Sequence, residues 1–404
     1  MSKVKNLFVK LLLALASLCM VLGILELTLR IQDIYLSRRY GTDMGEEGEL
    51  LRYDALFGWR NRENASLYFT SKLNRFKSLC TINTHGLRDD DYSYRKPPGT
   101  LRILLLGDST IVGFEVPKKA VIDTVLEEIL RKKTTCEVLN AGVRGYGTDQ
   151  NYLFFVKEGF KYQPDIVLYV FCDNDPKENI LIHRANRKYG KPYFILEKGR
   201  LVLKGVPVPQ QFDPPDRTLV SYPSAEAFRN LMVPAARKGN PILLVLKENL
   251  RHSLLYYYFI VPQVRHIPVA DRLLVRLKLV DPPLETELPE VVAYEWRITE
   301  ALLQAMKSFC ESKKIKFAVF EYTNGAGKPP AQNTPFKQIA RKLDIPYIES
   351  LQPFFKESHG TKKFCHRADK HWNAKGHRLA AQIIANYLGS SGSSGDIILN
   401  SLRR

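Results

Sequence analysis

Short runs of consecutive apolar residues alternate along this chain with stretches whose apolar positions recur every three or four residues. Leu101 to Leu106 and Asp165 to Phe171 (DIVLYVF) are nearly unbroken apolar runs, the pattern of strands buried on both faces of a sheet. Val121 to Leu130 (VIDTVLEEIL) has helical spacing and runs into the basic end Arg131-Lys132-Lys133. Cys136 to Asn140 predicts a short strand and Asp149 to Phe160 a helix. Further on, Val291 to Cys310 predicts a long helix and Lys316 to Glu321 a strand. Ile345 to Ile348 predicts another short strand, and Ala374 to Leu388 a closing helix. Strand and helix in alternation predict an α/β fold, a doubly wound parallel sheet with helices on both faces, over residues 101–388.

Other stretches break this rhythm. Residues 30–100 form a lead-in with few long apolar runs. There Tyr53 to Arg60 and Ile82 to Arg88 read as short extended pieces joined by glycine turns. Lys96-Pro97-Pro98-Gly99 ends the lead-in just before the first core strand. Between about 176 and 285 the alternation lapses, and this region reads as an insertion over or beside the sheet. Within it Tyr193 to Val208 predicts a hairpin around Lys198-Gly199, and the aromatic run Leu254 to Val261 reads as a helix packed on the core. The tail 389–404, rich in Gly and Ser, reads as a linker-like end.

At the N-terminus Lys3, Lys5 and Lys10 precede the uncharged stretch Leu11 to Leu25, and apolar character continues to Leu29. Nineteen residues of helix match the ~30 Å of a bilayer core. The basic flank at residues 1–10 predicts a cytoplasmic start, a transmembrane signal anchor at 11–29, and the remaining chain outside the cytoplasmic membrane. A cleaved signal peptide is the alternative, although no small-x-small site follows the apolar run, and Leu18 before Cys19 does not suit lipoprotein processing. The position and flank argue against a buried core helix.

The chain has 404 residues and a formal net charge of +18, which would attract anionic partners. Its basic residues are scattered in small groups and accompany no nucleic-acid-binding signature, so nucleic acid is not an expected partner. Six cysteines, none in a C-x-x-C pair, argue against structural zinc and against a disulfide framework. Cys172 and Cys365 flank polar loops and are one conceivable disulfide pair.

The candidate chemistry lies in those loops. The first core strand ends in Gly107-Asp108-Ser109, and the second in Asn140-Ala141-Gly142-Val143-Arg144-Gly145. The third ends in Cys172-Asp173-Asn174-Asp175, and Asp369-Lys370-His371-Trp372-Asn373 precedes the last helix. Ligands and chemistry collect at the carboxyl ends of strands in such sheets. Singly, Ser109 could be a turn residue, Asn174 a loop cap and His371 a surface histidine. Asp108 reads as structural and Asn373 as the cap of the last helix, while Trp372 is a pocket wall or a packing residue. His366 and His377 could join His371 and Asp369 around a metal, but the spacings fit no common zinc motif. No metal or cofactor is expected.

In their order these blocks resemble the SGNH (GDSL-type) hydrolase superfamily, whose motifs supply Ser, Gly, Asn and His in that sequence. The resemblance spans about 101–388 and implies a flavodoxin-like three-layer sandwich. It further implies that Ser109, His371 and Asp369 form a catalytic triad, with the N–H groups of Ser109 and Gly145 and the amide of Asn174 as oxyanion hole. Two departures stand out. Cys172 replaces the glycine that usually opens the third block, and Asp-x-His-Trp replaces Asp-x-x-His. The shorter last block resembles the alginate O-acetyltransferase branch. Asp and His two apart in an extended segment point to the same side, so the carboxylate could still reach the imidazole.

The expectation is therefore a membrane-anchored, extracytoplasmic serine esterase or O-acyltransferase. Its substrate would be an ester-bearing carbohydrate or lipid, with acetyl esters of envelope or exported polysaccharide favoured and envelope polysaccharide machinery as a further partner. A lysophospholipase or thioesterase shares the triad. A non-catalytic glycan-binding assembly protein is the reading outside enzymes. Substrate identity rests here on analogy, since one fold hosts many functions.

Overall fold

The structure is a computed structural model that describes residues 2–40, 49–71, 74–184, 187–211, 289–322, 333–358, 363–366 and 371–389. The chain divides into two units, 1–42 with 233–287, and 43–232 with 288–404.

In the first unit the described element is α1 (Ser2–Tyr40). Its stretch Asn6–Leu36 is long and apolar enough to cross a membrane, with none of it buried. The helix extends past both ends of the predicted span, because nothing between Lys10 and Tyr40 interrupts helical geometry and Glu26 pairs with Arg30 one turn on (2.9 Å).

The second unit opens with two hairpins, β1 (Leu51–Asp54) with β2 (Gly58–Asn61), and β3 (Ser66–Ser71) with β4 (Phe76–Thr81). The predicted extended piece at Ile82 to Arg88 is instead a turn. There the Asn83 side chain accepts from the N–H groups of His85 and Leu87 (both 2.9 Å), and Gly86 takes a positive φ of 83°. Next come β5 (Leu101–Leu106), α2 (Ser109–Val112), α3 (Ile122–Leu130), β6 (Cys136–Asn140), α4 (Thr148–Lys157), β7 (Ile166–Cys172) and α5 (Asp175–Glu178). They are followed by the hairpin β8 (Tyr193–Glu197) with β9 (Arg200–Lys204), as its sequence predicts. The unit ends with α6 (Pro289–Ser312), β10 (Lys316–Tyr322), α7 (Pro335–Lys342), β11 (Tyr347–Ile348), α8 (Leu351–Ser358) and α9 (Ala374–Gly389).

The central sheet has the order β11-β10-β7-β5-β6, and every neighbouring pair is parallel. Alternate residues of β5 feed two cores. Ile103 and Leu105 pack with Val125 and Leu126 of α3 and Ala381 and Ile384 of α9. Leu104 and Leu106 pack with Leu153 and Phe155 of α4 and Met306 of α6 on the other face. Burial on both faces explains the unbroken apolar run, and the predicted doubly wound architecture holds. The helix predicted to reach Phe160 ends at Lys157 and tightens into a 3₁₀ turn over Gly159–Tyr162. Gly159 lies so close to Leu104 that a Cβ would stand 2.9 Å from its Cδ2. The aromatic run 254–261 and the tail 390–404 lie outside the described residues.

After β5 the chain leaves for β6 on one side, then returns to β7 on the other. The carboxyl end of β5 is thus the point at which strand order reverses, where a crevice opens for ligands.

Candidate active site

Ser109 stands at that point. β5 ends at Leu106, and the Asp108 carboxylate caps the following turn of helix by accepting from the Thr110 N–H (2.8 Å). Ser109 is the first helical residue and half-buried. The turn closes on Gly113 in the left-handed region (φ 62°). A fully buried Arg88 fastens it from below, its guanidinium donating to the carbonyls of Val112 (2.8 Å), Gly113 and Val116 (2.6 Å).

His371 arrives from the other end of the chain. Just before α9, Cys365 and Trp372 form a β-bridge, and the His366 N–H donates to the His371 carbonyl (3.0 Å). Asn373 caps α9 as its sequence predicts, accepting from the N–H groups of Lys375 (2.9 Å) and Gly376 (3.2 Å). Its amide meanwhile donates to the Lys363 and Cys365 carbonyls (3.0 and 2.9 Å). Trp372 is a packing residue, fully buried among Phe320, Tyr322 and Phe354. So held, the His371 imidazole places Nε2 2.8 Å from Ser109 Oγ, across 262 residues of sequence.

Asp369 lies outside the described residues. The carboxylate seen beside His371 is that of Glu115, with Oε1 3.5 Å from Nδ1. Glu115 follows the Gly113 turn and is almost entirely buried. The same oxygen accepts from Arg144 Nη1 (2.5 Å), and the Arg144 guanidinium lies over the rings of Phe69 (5.2 Å) and Phe114 (5.8 Å). A buried carboxylate needs such a cationic partner to carry its charge. Glu115 stands in none of the motif blocks of the sequence. Its one signal was a charge amid the buried run Ile111 to Val116.

The loops after β6 and β7 flank the serine. Asn140 binds the first to the Ser109 turn through the Ile111 carbonyl (2.8 Å), and its Oδ1 accepts from the Gly142 N–H (3.0 Å). From the lead-in, Trp59 Nε1 donates to the Arg144 carbonyl (2.9 Å) and Asn61 to that of Gly142 (3.1 Å). Gly145 has a positive φ of 78°, and among the described residues its N–H donates to nothing. After β7, Asp175 accepts from the Tyr169 hydroxyl (2.5 Å) and the Cys172 N–H (3.0 Å). Burial, with Asp108 nearby, holds the Asp175 carboxyl well above the usual carboxylate range. Cys172, in place of the expected glycine, is buried as the last residue of β7, its Sγ 4.0 Å from Thr110 Oγ1. No disulfide joins Cys172 to Cys365, whose Sγ is 3.2 Å from the Tyr322 hydroxyl. Asn174 is half-buried at the start of α5, and its side-chain amide makes no hydrogen bond among the described residues.

The two further histidines take other places. The His366 ring packs on Phe76 (5.0 Å), and His377 is buried edge-on to Trp372 (5.5 Å). Among the described residues no three His, Cys, Asp or Glu side chains form a group able to hold a metal ion.

No protein-family model matches this chain, and no curated protein matches it. Several solved structures are similar to it at low identity. A lipase/acylhydrolase from Enterococcus faecalis is 12% identical with a TM-score of 0.31, covering 71% of this chain and 94% of that one. The psychrotrophic esterase EstA from Pseudoalteromonas is 11% identical with a TM-score of 0.34, covering 70% and 94%. An acetyl-xylooligosaccharide esterase from Geobacillus is 10% identical with a TM-score of 0.36, covering 72% and 96%.

Proposed function

We propose that the protein is a membrane-anchored serine esterase or O-acyltransferase working outside the cytoplasmic membrane, on acetyl esters of envelope or exported polysaccharide. The observation that carries this reading is the 2.8 Å contact of His371 Nε2 with Ser109 Oγ at the carboxyl end of the central strand. A serine hydroxyl is a weak nucleophile until a base removes its proton, and the imidazole stands at the distance that transfer needs. The long apolar helix with its basic start supports the anchor and its orientation.

Ser109 Oγ attacks the ester carbonyl carbon while its proton passes to His371. The oxyanion so formed is received by the N–H groups of Ser109 and Gly145 and by the Asn174 amide. Collapse expels the alcohol, which takes its proton from His371, and leaves the acyl group on Ser109. Water or a sugar hydroxyl then gives its proton to His371 and attacks the acyl carbon, restoring the serine. A carboxylate beside Nδ1 steadies the imidazolium. Glu115 stands there among the described residues, and Asp369 is the second candidate.

The test is hydrolysis of p-nitrophenyl acetate by the detergent-solubilised full chain. Ser109→Ala should lower turnover by at least about 10³-fold, and a serine-directed phosphonate should label the wild type at Ser109. Equal, slow rates for both proteins with no labelling would overturn the proposal. With turnover established, added glycan shows whether acetyl passes to sugar or to water.

A further inference from the structure

Arg184 lies directly on Gly145. A Cβ built on that glycine would stand 2.0 Å from Arg184 Nη1 and 2.9 Å from Cζ, so the guanidinium fills the place a side chain would take. Its Nε donates to Glu178 Oε1 at 3.1 Å, which fixes the fork at one end. The two terminal nitrogens donate to nothing among the described residues, and 27% of the side chain is exposed. Gly145 belongs to the loop after β6 and Glu178 to the helix after β7, and these strands lie on either side of β5. A side chain touching both therefore links the two segments that follow the neighbours of the strand ending before Ser109.

We propose that Arg184 is the recognition point for a carboxylate carried by the substrate, so that the enzyme acts on esters of acidic sugars in preference to neutral ones. This rests on the esterase reading above. Two parallel N–H groups of a guanidinium match the two oxygens of a carboxylate, and the pairing is short, charge-assisted and directional. Glu178 occupies Nε alone, so the outer edge of the fork keeps its donors for a second anion. The +18 charge of the chain adds long-range attraction for an acidic glycan.

The experiment compares three monoacetylated carriers that differ at one position: a methyl glucoside, a methyl glucuronoside, and a methyl glucoside 6-phosphate. Acetate release by the full chain in neutral detergent gives kcat/KM for each. Wild type should favour the glucuronoside over the glucoside by about tenfold or more, the scale of a hydrogen-bonded charge pair. This preference should shrink as salt is added. Arg184→Met should bring the ratio to near one. Arg184→Lys should restore part of it, because a point charge replaces the fork, and circular dichroism should show both variants folded. A ratio near one in wild type, or equal loss on all three esters in Arg184→Met, would overturn the proposal. So would a greater preference for the phosphate, which would make the site one for phosphoryl groups.

Should wild type and Ser109→Ala release acetate equally slowly, the esterase reading fails by itself. Binding of unacetylated methyl glucuronoside to Ser109→Ala and to Ser109→Ala/Arg184→Met, by titration calorimetry, then decides the carboxylate site separately. Loss of binding with Arg184 upholds it, and equal or absent binding overturns it.

Discussion

The two sides of Ser109 are built differently. Toward His371, several polar groups are engaged with one another: Glu115 with Arg144 and with the imidazole, Asn140 with the Ile111 carbonyl, and Arg88 with the carbonyls of Val112, Gly113 and Val116. Toward the loops after β6 and β7, several donors have no acceptor among the described residues. They are the Gly145 N–H, the Asn174 amide and the outer nitrogens of Arg184. Spare donors gathered at a crevice suit a partner that comes and goes. The first side is suited to hold and move a proton, and the second to receive an anion.

The sharpest way to break this division is at Glu115. If its carboxylate steadies His371, Glu115→Gln should lower kcat by about 10³-fold with little change in KM, because the loss falls on the imidazolium that forms during reaction. Glu115→Asp should recover part of the rate. The downfield Nδ1 proton resonance of His371 separates positioning from mere structure. It should vanish in Glu115→Gln and persist in Asp369→Asn. The reverse pattern would give the role to Asp369 and leave Glu115 as a counter-ion for Arg144.

On the open side, Asn174→Ala should lower kcat by about 10²- to 10³-fold while leaving KM nearly unchanged, since an oxyanion donor acts mainly in the transition state. Its amide has no structural hydrogen bond to lose among the described residues, so thermal stability should hardly move. A fall in melting temperature with unaltered kcat would assign Asn174 to the fixed side.

Much of this arrangement is legible in the amino-acid sequence alone. Strands buried on both faces announce themselves as nearly unbroken apolar runs, which is why Leu101–Leu106 matches its predicted bounds. The site's serine and histidine are legible through their blocks at strand and helix ends. Glu115 is not, because its role depends on a left-handed glycine folding the chain back under a histidine far away in sequence. Arg184 is hidden for the same reason: only the fold brings it onto Gly145. The helix Pro335–Lys342 carries a readable start, Thr334 capping it and proline in its first turn, but it is short and largely polar. Tertiary contact, rather than local pattern, decides such cases.

The smallest predicted effect on turnover concerns His377, which tests whether everything on the fixed side serves catalysis. Its ring is fully buried against Gly113, and neither nitrogen has a hydrogen-bond partner among the described residues. Burial pushes its pKa down to about 3, Arg88, His366 and His371 adding to the shift and Glu115 opposing it. In the unfolded chain a histidine titrates near 6.5. Between those values the unfolded state binds the extra proton, so stability rises with pH there. The stability that neutral His377 contributes is therefore intact above about 6.5 and is lost as pH falls toward 3, a change on the order of a few kcal/mol. Urea unfolding of the wild type should show midpoints dropping steeply over that window. His377→Gln, which does not titrate, should flatten the slope while kcat at pH 7 stays within about threefold, since the ring is not among the groups that contact Ser109. An unchanged slope would place the acid sensitivity elsewhere. A large loss of kcat would move His377 into the machinery of the site.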